Sequence, residues 1–169
     1  MKEIKIFVLI LLSTCLLVGC EKKEEIEIEG EKIDTKEMVH EHCSRTGTLE
    51  GGEAELNYDI YYTGEVLNIL RSEEKVKSST SSILDEYEEA YKSIKDQYKG
   101  LRYYDVTVTR DGNSVIYDTV INYEKIDMDK LREIEPEIEG QADIYKNNKL
   151  MLKTWWEFSK DMGMTCKGV

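Results

Sequence analysis

Apolar and polar side chains alternate between Ala54 and Thr63, and this pattern constrains the fold more than any other feature of the chain. The apolar positions are Ala54, Leu56, Tyr58, Ile60 and Tyr62. Successive side chains of a β-strand point to opposite faces, so a period of two predicts a strand with one buried face. The backbone of such a strand needs hydrogen-bonding partners, and we therefore expect neighbouring strands on both sides.

Tight turns at both ends of this strand connect it to its expected neighbours. Gly51-Gly52 precedes the strand and Gly64-Glu65 follows it, and glycine-containing turns of this kind join antiparallel strands. Residues 42–49 and 66–77 form the flanking runs. The pattern predicts an antiparallel meander of three strands.

A change of period marks the helices. Apolar residues recur at spacings of three and four over residues 83–98, which predicts an amphipathic helix that ends at Gly100. A short helix is expected over 127–134, stopped by Pro136, and the polar residues 135–149 are expected to be loop. A last helix is expected with Thr154 as its cap and with one shared face made of Trp155, Phe158 and Met162.

A second hairpin completes the predicted order of elements. Asp111-Gly112-Asn113 is a hairpin turn signal between the alternating runs 103–109 and 115–123. The order is therefore βββ-α-ββ-α, which favours an α+β fold: one antiparallel sheet of about five strands with helices packed on one face. We assign this fold to a single domain, residues 42–169.

The first 20 residues carry a short basic stretch, an apolar run and a cysteine, in that order. The apolar run, residues 6–18, is 13 residues long, whereas a membrane-spanning helix needs about 20. The run therefore indicates a signal peptide. Leu17-Val18-Gly19-Cys20 has the form of a lipobox, in which small Gly19 admits the peptidase and the thiol of Cys20 accepts lipid. We expect residues 1–19 to be removed and Cys20 to anchor the chain on the extracytoplasmic side of the cell membrane.

Residues 20–41 are expected to be an acidic tether. Eight acidic residues and four lysines lie between residues 21 and 37, a composition typical of solvated segments that bury little apolar surface. Asp34-x-x-Glu37 resembles a helix-capping start and predicts a short helix near 36–41. The whole chain has a formal charge of -12, which opposes binding to nucleic acid because the phosphates repel it.

Four cysteines are present, and two of them remain for a disulfide. Cys15 leaves with the signal peptide and Cys20 is the lipid attachment site. Cys43 and Cys166 are left at opposite ends of the domain, and an exported chain with two remaining cysteines favours a bridge between them. The alternative is a pair of free buried thiols.

Residues with catalytic or metal-binding chemistry are scarce. His40-Glu41-His42-Cys43 contains the only two histidines, and imidazole with thiolate could hold zinc or copper. Nearby ligands that would complete a tetrahedral site are missing from the sequence, so we expect solvated histidines beside a structural cysteine. Neither a G-x-S-x-G elbow nor a phosphate-binding loop occurs. We therefore predict no catalytic residue, no metal and no cofactor.

Eleven tyrosines are an excess for a chain of 169 residues. The predicted inward faces carry Tyr58, Tyr62, Tyr104, Tyr117 and Tyr123, where they pack in the core. Tyr61, Tyr103 and Trp156 project the other way and are the candidate exposed contacts for a partner. The alternative is a second apolar layer, or the tether folded over that face.

Several short strings resemble one family. They are CSRTG at the start of the first strand, YDIYYTGEVLNI, INYEKID and the late GMTC. These strings lie within about residues 42 to 166, and the lipobox of the leader adds to the likeness. This layout resembles the YehR-like lipoproteins, a family of uncharacterised function. The resemblance implies a small α+β domain at the cell envelope and no particular substrate.

These observations favour a membrane-anchored binding domain without enzymatic activity, whose partner is a protein or a small molecule. The alternatives are a metal-handling or hydrolytic envelope enzyme, and a structural or stress-related lipoprotein without a specific ligand. Nucleic acid is not expected as a partner.

Overall fold

The computed structural model describes residues 26–135 and 145–169. Its strands and helices follow in the order β1 (Ile26–Ile28), β2 (Glu31–Ile33), β3 (Val39–Leu49), β4 (Gly52–Thr63), β5 (Val66–Ser78), α1 (Ser81–Gln97), β6 (Tyr104–Asp111), β7 (Ser114–Asn122), α2 (Met128–Ile134), β8 (Tyr145–Lys146), β9 (Lys149–Leu150), α3 (Leu152–Asp161) and β10 (Thr165–Gly168). The expected leader, the lipid attachment site Cys20 and Pro136 lie outside the described residues.

The main sheet has six strands in the order β10-β3-β4-β5-β7-β6, and each neighbouring pair is antiparallel. The α+β class and the antiparallel meander expected from the sequence are confirmed, but the count of five strands is wrong. The sixth strand is β10, which pairs with β3 at the edge of the sheet. Its four residues are too few to show a period, so the sequence pattern missed it.

A β-bulge between β4 and β5 decides which side chains reach each face of the sheet. Tyr61 pairs with Ile69, whereas Tyr62 pairs with Leu67, so Asn68 is the extra residue. Two residues that are i and i+2 on a strand normally share a face. The bulge instead sends Leu67 and Ile69 into separate hydrophobic clusters, and both side chains are fully buried.

The helices cover the face of the sheet that carries Ile60 and Tyr62, which we name the inner face. Leu67 and Leu70 pack there against Leu131 of α2 and Leu152 and Trp155 of α3. Towards the other end of the sheet, Ala54, Val76 and Val115 pack against Leu84 and Tyr91 of α1. All three helices thus lie on one face, as expected.

The opposite face, named the outer face, is covered in part by the β1–β2 hairpin. Ile26 and Ile28 are buried there against Tyr61 and Ile69. The expectation that residues 20–41 form a solvated tether is therefore wrong from Ile26 onward. Two alternating isoleucines suffice to dock the hairpin, because the sheet already offers an apolar patch to receive them.

Three local predictions also need correction. The stretch 36–41 is not a helix, because β3 begins at Val39. The cap of α3 is Met151 rather than Thr154, since the helix begins at Leu152. The part of 135–149 that the structure describes includes the small β8–β9 hairpin, whose Leu150 enters the core.

Candidate functional site

The Cys43–Cys166 disulfide joins β10 to β3, the pairing expected from the sequence. The two cysteines stand directly opposite each other in the strand register. Cys43 is fully buried on the inner face. The disulfide therefore fixes the edge strand beside the C-terminal half of α3.

A groove of about 380 Å³ lies between α3 and this edge of the sheet. We name it the α3–β10 groove. Its lining residues are Glu41, Trp156, Ser159, Lys160, Met164, Cys166, Lys167 and Gly168. The groove brings together a large aromatic side chain, charged groups and an edge strand, which are the elements of a recognition surface.

Trp156 is the most prominent side chain of this groove. It is 41% exposed, and its indole Nε1 donates to Glu41 Oε2 at 3.1 Å. The hydroxyl of Tyr62 donates to the other oxygen, Glu41 Oε1, at 3.1 Å. The Tyr62 and Trp156 rings meet edge to face with centroids 6.0 Å apart. Burial, followed by the contact with Glu41, raises the pKa of Tyr62, so the hydroxyl stays a donor at neutral pH.

The helix sets the orientation of Trp156. Its neighbour Trp155 points into the core and meets Tyr58 edge to face at 5.2 Å. Adjacent residues of an α-helix differ by about 100° in direction. With Trp155 buried, Trp156 is directed towards β3 and the groove.

Tyr61 and Tyr103 do not join Trp156 in one exposed surface, and this part of the prediction is wrong. Tyr61 is only 8% exposed: it packs under the β1–β2 hairpin, and its ring stacks on His40 at 4.3 Å. Tyr103 is half-buried beside the same hairpin, with Arg102 4.9 Å from its ring centroid. The alternative reading, in which the N-terminal segment folds over this face, is the one the structure shows.

The two histidines are half-buried rather than solvated. His40 Nε2 and His42 Nδ1 lie 3.0 and 2.9 Å from the same carboxylate oxygen, Asp59 Oδ1. They share the outer face because they are two residues apart on β3, and Asp59 lies opposite His42 on β4. Among residues 26–135 and 145–169, no three His, Cys, Asp or Glu side chains converge so as to hold a metal ion.

The sequence does not predict the cluster of tyrosines around Glu135. The hydroxyl of Tyr98 donates to Glu135 Oε1 at 2.9 Å, and the hydroxyl of Tyr145 lies 3.5 Å from Oε2. The ring of Tyr98 stacks on Tyr104 at 4.1 Å. Burial raises the pKa of Glu135, although both tyrosine contacts lower it. These residues come from distant parts of the chain, so no local pattern links them.

A second hollow, of about 430 Å³, opens at the other edge of the sheet near Tyr98 and Tyr104. Arg102 spans it with an ion pair to Glu29 of the β1–β2 turn, at 3.0 Å. The backbone amide of Glu29 also donates to Asp105 at 3.1 Å. These contacts tie the hairpin to the sheet, which explains the polar lining of this hollow.

The fold and the groove define a class: a small α+β domain with one antiparallel sheet, helices on one face and a disulfide-fixed edge strand. No family model and no curated protein matches the chain. Solved structures do match. The NMR structure of the E. coli YehR protein is 15% identical with a TM-score of 0.57, and the match covers 79% of this chain and 93% of YehR.

A second solved structure is the NMR structure of a protein from Streptococcus pneumoniae TIGR4. It is 14% identical with a TM-score of 0.50, and the match covers 87% of this chain and 96% of that protein. At these identities the likeness shows a YehR-like fold alone. None of the helices within the described ranges is long and apolar enough to cross a membrane.

Proposed function

We propose that this chain is a YehR-like lipoprotein, anchored through Cys20 on the outside of the cell membrane, that binds a partner in the α3–β10 groove. The observation that carries the proposal is Trp156, a large aromatic side chain held half-exposed in a groove by Glu41. Tryptophan is among the residues that contribute most to binding when a partner buries it.

The hydrogen bonds of Glu41 support this role. Its two carboxylate oxygens take one bond from Trp156 and one from Tyr62, so the indole is fixed before a partner arrives. A contact that is already ordered loses less side-chain entropy on binding. The disulfide adds to this by fixing the floor of the groove at Cys166.

Site-specific crosslinking in intact membranes tests the binding role. We expect a photoreactive amino acid at Met164, in the groove, to crosslink to a distinct product in cells. The same group at Thr109, an exposed residue of β6 at the far edge of the sheet, is the matched control. Products that are equal at both positions, or absent from both, would contradict a binding groove.

Metabolic labelling with a fatty acid tests the anchor separately. We expect the wild-type chain to incorporate label and Cys20→Ala to lose it completely, because the thiol is the acceptor. Cys15→Ala is the matched control and keeps the label, since that residue lies in the part removed. Equal labelling of wild type and Cys20→Ala would overturn the anchor.

A further inference from the structure

The outer edge of β10 borders the α3–β10 groove, and its backbone groups determine what can bind there. In an antiparallel pair, residue pairs that exchange backbone hydrogen bonds alternate with pairs that do not, and the latter have the closer Cα atoms. The Cα atoms of Cys43 and Cys166 are 4.0 Å apart, which identifies a pair without backbone hydrogen bonds. The amide of Val169 donates to the carbonyl of His40 at 3.1 Å, in agreement with this alternation.

The alternation fixes the direction of each backbone group on β10. Thr165 and Lys167 face β3 and bond to it. The amides and carbonyls of Cys166 and Gly168 point the other way, towards the open edge of the sheet. Both of these residues also line the groove, so strand backbone that pairs with no other described residue lies next to Trp156.

We propose that the α3–β10 groove binds an extended, carboxylate-bearing peptide segment of another protein, which adds as a further strand to the edge of β10. This inference rests on the binding role proposed above and names the class of partner. Strand addition satisfies outward-facing backbone groups with main-chain hydrogen bonds, and side-chain pockets give it selectivity. Here Cys166 and Gly168 supply the backbone groups, and Trp156 supplies the apolar wall.

The charges of the groove favour a carboxylate on the incoming segment. Glu41 already accepts hydrogen bonds at both oxygens. Lys160 of α3 also lines the groove, and it forms no ion pair with another residue of the described ranges. A second copy of this chain is a poorer occupant, because two chains of charge -12 repel each other.

The groove is open above Gly168, where a side chain of an added strand would lie. A Cβ atom placed on Gly168 would meet no atom of the described residues within 4 Å. With only two residues of β10 facing outward, the edge has room for a short segment only. We expect side chains of that segment to lie alternately against Trp156 and away from it.

Gly168→Pro distinguishes binding through the backbone hydrogen bonds of β10 from binding through the side chains of the groove alone. Proline removes the amide donor, and it is tolerated on an edge strand where that amide faces away from the sheet. The pairing of Lys167 with β3 and the disulfide should therefore persist. Slow exchange of the Lys167 amide and a formed disulfide are the checks that the variant is folded.

The test is selection of a random seven-residue phage-displayed peptide library on the full mature chain in detergent. We expect enriched peptides to share a carboxylate between aliphatic residues, and Gly168→Pro to weaken their binding at least tenfold. Lys160→Ala should weaken it as well, whereas Lys149→Ala, an exposed lysine of β9, should not.

Three outcomes would overturn strand addition: no enrichment, enrichment of lysine-rich peptides, or unchanged binding to Gly168→Pro. Sedimentation showing a dimer that Gly168→Pro disrupts would assign the edge to a second copy instead and overturn the proposal equally. If crosslinks at Met164 persist in membranes while peptide binding fails, the binding role stands and strand addition alone is wrong. If both fail, the proposed function fails too.

Discussion

Burial and hydrogen bonding have opposite effects on the pKa of the Glu135 carboxyl. It follows α2 and lies between Tyr98 and Tyr145. Burial raises its pKa above the ordinary value of 4.5, since a carboxylate loses solvation in an apolar site. The tyrosine hydroxyls only partly compensate, so the neutral form is the better fit to the folded state.

The sign of the stability effect follows from this shift. A carboxyl whose pKa is raised on folding binds its proton more tightly in the folded state, so its contribution to stability falls as the pH rises from about 4.5 to the folded pKa. The glutamine of Glu135→Gln carries no charge, so the stability of this variant does not fall for this reason as the pH rises. We therefore expect the free energy of unfolding of Glu135→Gln, relative to wild type, to increase between pH 4 and pH 7.

Urea unfolding at several pH values measures this difference. Glu133→Gln, on the exposed side of the same helix, is the matched control and should show no such trend. A Glu135→Gln variant whose relative stability stays flat or declines over this range would contradict a buried, destabilising carboxylate.

At the scale of single elements, the β1–β2 hairpin tests whether the N-terminal segment belongs to the domain. Ile28 is 1% exposed, and Glu27 beside it points to solvent. Truncating a buried isoleucine to alanine costs about 2–5 kcal/mol. We expect Ile28→Ala to lower the free energy of unfolding by an amount in this range and Glu27→Ala to leave it nearly unchanged. Equal effects in thermal or urea unfolding would show that the hairpin does not dock.

The disulfide acts on one element, β10. Its four residues have few contacts of their own, because all four are exposed. We expect reduction to release β10 from β3, so that the Lys167 amide exchanges much faster while the amides of β4 and β5 stay protected. Hydrogen exchange followed by NMR measures both. If β10 amides remain protected after reduction, the strand pairing alone holds the edge.

The sequence predicted best those elements whose partners lie nearby along the chain. The alternation in β4 and the turn at Gly112 are local signals, and they correctly predicted the meander and the second hairpin. The hairpin at Ile26–Ile33 also carried a local signal, two alternating isoleucines followed by a Glu29-Gly30 turn with positive φ at both residues. The acidic composition around it hid this signal.

The site was less predictable than the fold. Trp156 was identified as an outward aromatic residue, but its hydrogen bond to Glu41 joins positions 115 residues apart. Tyr61 was misassigned as exposed because the strand pattern shows which face a side chain occupies and not what covers that face. Contacts of this kind depend on packing between distant segments, which a single sequence does not encode locally.

At the scale of the whole molecule, buried or half-buried tyrosines lie on five elements, namely β4, α1, β6, β7 and β8, and in the segments that follow α1 and β7. Burial is the largest cause of a raised pKa at Tyr58, Tyr62, Tyr91, Tyr98, Tyr104, Tyr117, Tyr123 and Tyr145. The pKa of Tyr117, for instance, rises to about 12. Because the neutral form is favoured in the folded state, stability falls as the pH rises above 10.

We therefore expect most of the tyrosine ionisation to coincide with global unfolding. Ultraviolet absorbance of tyrosinate and near-ultraviolet circular dichroism should change together in one steep alkaline transition. Gradual ionisation of most tyrosines with the dichroism signal intact would mean that these hydroxyls are accessible in the folded protein.

The proposed anchor also sets where the molecule sits. Ile26 is six residues after Cys20, and an extended chain covers at most about 3.6 Å per residue. An anchor at Cys20 would therefore hold the start of the domain within about 22 Å of the lipid, whereas a tether ending at residue 41 would let it move much farther away. We accordingly expect a partner of the α3–β10 groove to be reachable at the membrane surface.

Intact mass spectrometry of the protein extracted from cell membranes tests this account most directly. We predict a chain that begins at Cys20, carries diacylglycerol on its thiol and is two hydrogen atoms lighter before reduction than after it. Cys20→Ala expressed in the same cells should lack the lipid mass. A chain that still begins at Met1 and bears no fatty acid would contradict the membrane placement and the binding role built on it.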